Sequence, residues 1–271
     1  MTHALLPRLA AVALAAAVAA CAPSRQEQAE SIYGKAVQAF SDRKMGLART
    51  LLDSLRNHYA DQPEAYREAR DLLRLVNRYE AERTIAFLDS SLSQCETTRR
   101  RLLKEMAADD PDAAVPTYTA KTQQAWRTYT RCLLKARTDA NGVFSMSSNF
   151  VGESAIHHDH IVLRCGEQYL TTDKVDDDAN SNTFRDDEYV WETLRYDGAE
   201  AANIAKFIVQ NSDGRIVVDY RGPRAHFASS MTDADKTAVR QVWELSLALR
   251  EGRKIRTMIR SARIEMSRSE N

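Results

Sequence analysis

The sequence predicts an α+β protein. A helical hairpin and a long coiled-coil helix come first, a small antiparallel β module follows, and a second long helix closes the chain and packs back on the rod. Three observations lead there. Only 9 Gly and 6 Pro occur among 271 residues, and 28% of the residues are charged, which suits long helices with charged faces. Apolar residues recur at steps of three and four over two long stretches. Between these lie short apolar runs around Asn141-Gly142 and Gly166, and Asn-Gly is a strong local hairpin signal.

The first twenty residues stand apart from the fold. Arg8 precedes an apolar run from Leu9 to Ala20, about 12 residues, too short to cross a ~30 Å hydrocarbon core as a helix. It has the length of a signal-peptide core. The run ends in Val18-Ala19-Ala20-Cys21. This ending resembles the lipobox of bacterial lipoproteins, whose cysteine is acylated and becomes the mature N-terminus. The resemblance implies a signal peptide over 1–20, lipidation (a palmitate-type anchor) at Cys21 and a polar tether over 21–29. Ala22, not Asp, follows the cysteine; by the sorting pattern of such lipoproteins this implies the outer membrane. The alternative is an ordinary signal peptide cleaved in the alanine run, leaving Cys21 as a thiol. With Cys21 lipidated, Cys95, Cys132 and Cys165 remain, enough for one internal disulfide and a leftover thiol.

Residues 30–107 read as a helical hairpin plus a long helix. Ile32, Ala36, Ala39 and Phe40 share one face of the first helix, and Leu47, Leu51, Leu52 and Leu55 one face of the second. Pro63 opens the long helix at its first turn. The hairpin resembles a single tetratricopeptide-type unit, and one copy is too few for a continuous repeat core. It is therefore expected to cap the next helix. From Pro63 to about Ala107, Ala65, Ala69, Leu72, Val76 and Tyr79, then Ile85, Leu88, Leu92, Cys95, Leu102 and Met106, trace a coiled-coil seam. Some 45 residues would make a rod of roughly 65 Å.

The β-rich module is expected over 117–230. Hairpins are predicted at Asn141-Gly142, at Gly166 and near Gly222-Pro223. "EYVWETLRY" reads as a strand, and "AEAANIAKFIVQNS" reverts to helical spacing. The closing helix, 231–268, opens with Thr232 as N-cap and Asp235 three residues later. Part of Val242–Ile259 is expected against Leu88, Leu92 and Cys95.

Taken in order, the lipobox, hairpin, long helix, Asn-Gly hairpin, "IHH" and closing helix resemble an uncharacterised family of bacterial, Bacteroidales-like envelope lipoproteins. The pieces that carry this are "ERTIAFLDSSL", "DANGVFSMSSNFVGESAIHHDHI" and "DADKTAVRQVWELSLAL". The resemblance implies an architecture and no mechanism.

The densest chemistry lies in "AIHHDHIVLRC", 155–165. Read as a strand, it sends His157, Asp159, Ile161, Leu163 and Cys165 to the core face, and His158 and His160 to the solvent face. The expectation is a polar strand face. The alternative is a two-histidine half-site for a transition metal, with His226 as third ligand, since a catalytic zinc needs three protein ligands. Asp176, Asp178 and Asn180 match the first oxygen positions of a calcium loop, but Ser181 and Asp187 break the pattern, so a solvated acidic loop is expected. Basic clusters, Arg99–Arg101 with Lys104 and Arg250–Arg268, could meet anionic headgroups or an acidic partner, or be solvated faces.

Lys plus Arg equals Asp plus Glu at 38 each, which offers no overall field for nucleic acid. No nucleophile elbow, HExxH or glycine-rich phosphate loop occurs, so no catalytic residue is assigned and no cofactor is expected. The resulting expectation is a non-catalytic, lipid-anchored scaffold or interaction protein of the bacterial cell envelope. It would be held to the membrane through Cys21 and face a protein partner. The alternative is a metal-binding module or metal-dependent enzyme centred on His158 and His160.

Overall fold

A computed structural model describes residues 23–109, 113–176 and 180–270. The lipidation site expected at Cys21, the signal peptide and the centre of the acidic loop, 177–179, lie outside the described residues. The fold is α+β, as the composition implied. The chain divides into two compact units. Among the described residues, one is 23–87 with 259–270, the other lies within 88–258, and two long helices contribute to both.

In the first unit, α1 (Arg25–Ser41) and α2 (Met45–His58) form the hairpin. Ser24 caps α1 by accepting from the Glu27 N–H, and the Glu27 carboxylate accepts from the Ser24 N–H at 2.7 Å, a reciprocal capping box. The apolar stripe of α2 runs through Met45, Ala48, Leu52 and Leu55, all buried. Leu47, expected on that face, is 52% exposed. Steps of 3, 4 and 3 from Met45 describe the face better than a stripe started at Leu47. Ala65, Ala69, Leu72 and Val76 of α3 (Pro63–Leu103) complete this core.

The long helix stops at Leu103, short of the expected Ala107. The Glu105 N–H still reaches the Leu102 carbonyl, but Met106–Ala108 leaves the helical ladder and becomes β1, paired with β2 (Thr117–Ala120). The β structure therefore begins before residue 117.

The second unit holds two antiparallel sheets. The first has the order β1-β2-β3-β4-β8-β7, with β3 Leu133–Asp139, β4 Phe144–Gly152, β7 Ser181–Arg185 and β8 Val190–Asp197. The second has the order β10-β9-β5-β6, with β5 His160–Cys165, β6 Gln168–Thr171, β9 Val217–Arg221 and β10 His226–Ser230. A one-turn helix, α4 (Ala125–Thr128), precedes β3, and α5 (Gly198–Gln210) packs on β4 and β8. All three hairpins occur where the sequence placed them.

One core joins both sheets to the last helix, α6 (Asp233–Glu270): Met146, Phe150 and Leu194 meet Ile161, Val218 and Val242, among others. Within this unit α3 and α6 run antiparallel. Gly252 lies 3.8 Å from Leu92 and Cys95, measured from where its Cβ would stand, and Glu96 pairs with Arg256 and Glu244 with Arg101. The expected seam is thus present, and part of both basic clusters is engaged in ion pairs. Gly142 shows how closely the Asn-Gly hairpin approaches α6. Its φ is +82°, and a Cβ there would stand 2.7 Å from the Ser246 carbonyl oxygen. Cys95, Cys132 and Cys165 are all free thiols.

Candidate functional site

The alternation of strand side chains puts two different surfaces on the six-stranded sheet. In β4, Met146, Ser148 and Phe150 are buried while Ser145, Ser147 and Asn149 lie towards the other face. In β8, Glu192, Leu194 and Tyr196 are buried and alternate with Trp191, Thr193 and Arg195.

The outer face is a groove of about 700 Å³, within the size range of ligand pockets. Register sets its rows. Lys135 stands opposite Ser147 and Ser147 opposite Arg195; the next row is Leu133, Asn149 and Thr193; the one after begins at Val151 and Trp191. Four basic residues line the groove, Arg131, Lys135, Arg137 and Arg195, against the acidic Asp109 and Asp139. Most of this charge is already engaged. Arg137 pairs with Asp109 at 3.3 Å and Arg195 with Asp197 at 3.0 Å. Asp139 accepts from the backbone N–H groups of Asn141 and Val143 in its own turn. Lys135 is different. It is 8% exposed, and no carboxylate among the described residues forms an ion pair with it. Burial, and after it the neighbouring Arg137, lower the Lys135 amine below the ordinary lysine value, with Asp109 opposing them only in part.

At the Trp191 end the groove turns aromatic. The Tyr129 ring packs 4.7 Å from Trp191, and Phe184 and Tyr189 lie at 5.5 and 5.9 Å. The Trp191 indole N–H donates to the Tyr129 carbonyl, which fixes both. Tyr129 is still 54% exposed. Its segment is anchored from below: Arg131 makes a bidentate pair with Asp235 at 2.5 and 2.9 Å, and Asp235 also accepts from Thr232 and Gln123. Burial would raise the Asp235 pKa, but these donors outweigh it and hold the carboxyl below its ordinary value.

The inner face carries the histidine that the sequence sent to solvent. His158 is not in a strand, because β5 starts at His160, and its side chain is fully buried. Glu192 accepts from the backbone N–H groups of His157 and His158, at 2.8 and 2.9 Å, and from His158 Nδ1 at 2.9 Å. Burial pushes the Glu192 pKa up, but these donors bring it below the ordinary glutamate value. An ionised Glu192 only accepts, so Nδ1 carries a proton. His158 Nε2 meets the Ser148 hydroxyl at 3.0 Å, and Ser148 meets Tyr196 at 3.3 Å. Burial first of all pushes the Tyr196 phenol up to about 12, so it stays a neutral hydroxyl. Ser148, His158 and Glu192 therefore have the connectivity of a nucleophile, base and acid. Ser148 is 0% exposed, however, and faces the core, not the groove. Arranged so, the network is a clasp that pins residues 157–158, where His157 adopts φ +51°, to β8.

The other two histidines separate further. His160 Nδ1 meets Asp159 at 2.5 Å, and His226 Nδ1 meets Asp219 at 3.0 Å. Register puts Arg221 opposite both, so a cation stands between them in a row two strand spacings wide, roughly 9.5 Å. The sheet does bring His226 towards His160, but both ring nitrogens of His158 are taken inside the core. The three do not converge, and among the described residues no group of three or more His, Cys, Asp or Glu is placed to hold a metal ion.

Sequence reasoning missed Lys135, Tyr129, Trp191 and Glu192. Alternation in "LLKARTD" could have placed Lys135 and Arg137 on one face; nothing local pointed to Glu192 as the partner of His158. No family model matches the chain, and neither a curated protein nor a solved structure shows significant similarity to it.

Proposed function

We propose that this chain is a lipid-anchored interaction protein of the bacterial cell envelope, acylated at Cys21 and sorted to the outer membrane, which binds its partner on the outer face of the six-stranded sheet. The anchor rests on the apolar run ending in Val18-Ala19-Ala20-Cys21. The binding face rests on one observation: Lys135 sits partly desolvated among serines and arginines and forms no ion pair among the described residues. A cation partly withdrawn from water gains from an incoming anion, because the anion replaces the solvation that it has lost.

Two experiments test the two halves. Cys21→Ala should abolish lipid labelling and release the protein from membrane fractions; normal labelling would remove the anchor. A photo-crosslinking residue at Ser147, in intact cells, should give a discrete adduct that Lys135→Glu suppresses while the melting temperature holds. An adduct indifferent to Lys135→Glu would remove the groove as the binding face.

A further inference from the structure

We infer that the groove takes an acidic oligosaccharide, its carboxylate on Lys135 and a sugar ring on the exposed face of Tyr129. The inference rests on the groove being the binding face. Three features of the groove carry it. The floor is a polar plate: Ser145, Ser147, Asn149 and Thr193 offer neutral donors and acceptors of the kind that pair with hydroxyls. One cation in it, Lys135, forms no ion pair among the described residues, and the flanking Arg137 and Arg195 each already hold one carboxylate, so the face suits a single negative charge better than a row of them. An aromatic ring stands exposed at one end, held by Trp191, and gives the apolar side of a ring somewhere to lie.

Spacing sets the size. Arg195, in the Lys135 row, and Trp191 are four residues apart on β8, roughly 13 Å along the strand. That span exceeds one sugar ring, so two or three linked rings reach both ends.

The competing ligands fit less well. A nucleic acid brings a phosphate at every step, and Asp109 and Asp139 line the same groove as Lys135. An extended acidic peptide gains its affinity from a free strand edge, but β3, β4 and β8 are each hydrogen-bonded on both sides here. A lipid tail would meet a floor of hydroxyls and charges.

The test is a calorimetric titration of the full mature chain. The probes are a set of acidic trisaccharides, including a linear hexuronate trimer, with the methyl ester of each, a hexuronate monomer, triglutamate and inorganic phosphate. At least one acidic trimer should bind. Its affinity should fall roughly tenfold or more on esterification, in Lys135→Gln and in Tyr129→Ala, and the monomer should bind more weakly. Thermal denaturation of both variants checks that they fold. If triglutamate or phosphate binds as tightly as the best trimer, and Tyr129→Ala changes nothing, the groove is an anion site and the sugar is wrong. If no probe binds but the Ser147 adduct still depends on Lys135, the sugar is wrong and the groove stands. If no probe binds and that dependence is absent too, both readings fall.

Discussion

The two faces of the six-stranded sheet treat charge in opposite ways. On the inner face Glu192 is 3% exposed and accepts from two backbone N–H groups and an imidazole. On the outer face Lys135 is nearly as enclosed, at 8%, and makes no ion pair among the described residues, with Asp109 acting on it only at a distance. A buried charge with its hydrogen bonds satisfied holds a fold together; a largely enclosed amine that lines a groove without an ion pair can still take a ligand. The His158 cluster has the sequence signature of chemistry and a structural role, whereas the lysine in "LLKARTD" has no signature and lines a groove without an ion pair among the described residues.

The largest expected effect breaks the inner face. Glu192→Ala removes the acceptor for His157, His158 and the imidazole together. It should cost about 3–5 kcal/mol, the range for breaking a buried pair, and lower the melting temperature on the order of 10 °C. An unchanged melting curve would mean that solvent reaches the network and that the two faces are alike.

Acid should act on the same side of the comparison. Glu192 and Asp235 both have pKa values below the ordinary carboxylate range in the folded chain. Their contribution is complete above the unfolded-state values and is lost as the pH falls through the folded ones, so stability should decline below about pH 4. Asp235→Asn should flatten part of that decline in denaturant titrations run between pH 2 and pH 6. Equal slopes in the two proteins would assign the acid sensitivity elsewhere.

Gly142→Ala sits outside both faces and calibrates them. The positive φ and the approach to the Ser246 carbonyl should make it lose roughly 1–3 kcal/mol by chemical denaturation. A loss as large as that of Glu192→Ala would mean that the hairpin's contact with α6 matters as much as the clasp.

The smallest effect belongs to the outer face. Lys135→Met removes a partly desolvated cation that forms no ion pair among the described residues, so the melting temperature should stay put or rise slightly. A clear fall would show that Lys135 serves the fold, and the contrast between the faces would collapse.

By itself the sequence determined what depends on neighbours a few residues apart. Helical spacing of apolar residues, Pro63 at a helix start, the Thr232 cap with Asp235, and glycine at 142 for a left-handed turn were all legible, because each is a local requirement of the backbone. Leu47 was misplaced because a helix stripe read from leucines alone overlooks the small and flexible residues, Met45 and Ala48, that the partner helix prefers to bury. Short strands such as β1 and β7 carry too few residues for alternation to show. Tertiary structure alone decided the rest. His158 faces the core because Glu192, 34 positions away, supplies its acceptor. Among the described residues Lys135 forms no ion pair, while Asp109, Asp197 and Asp235 pair with the three arginines that share its groove. Whether a charge is satisfied is a property of everything packed around it, and no window of sequence contains that.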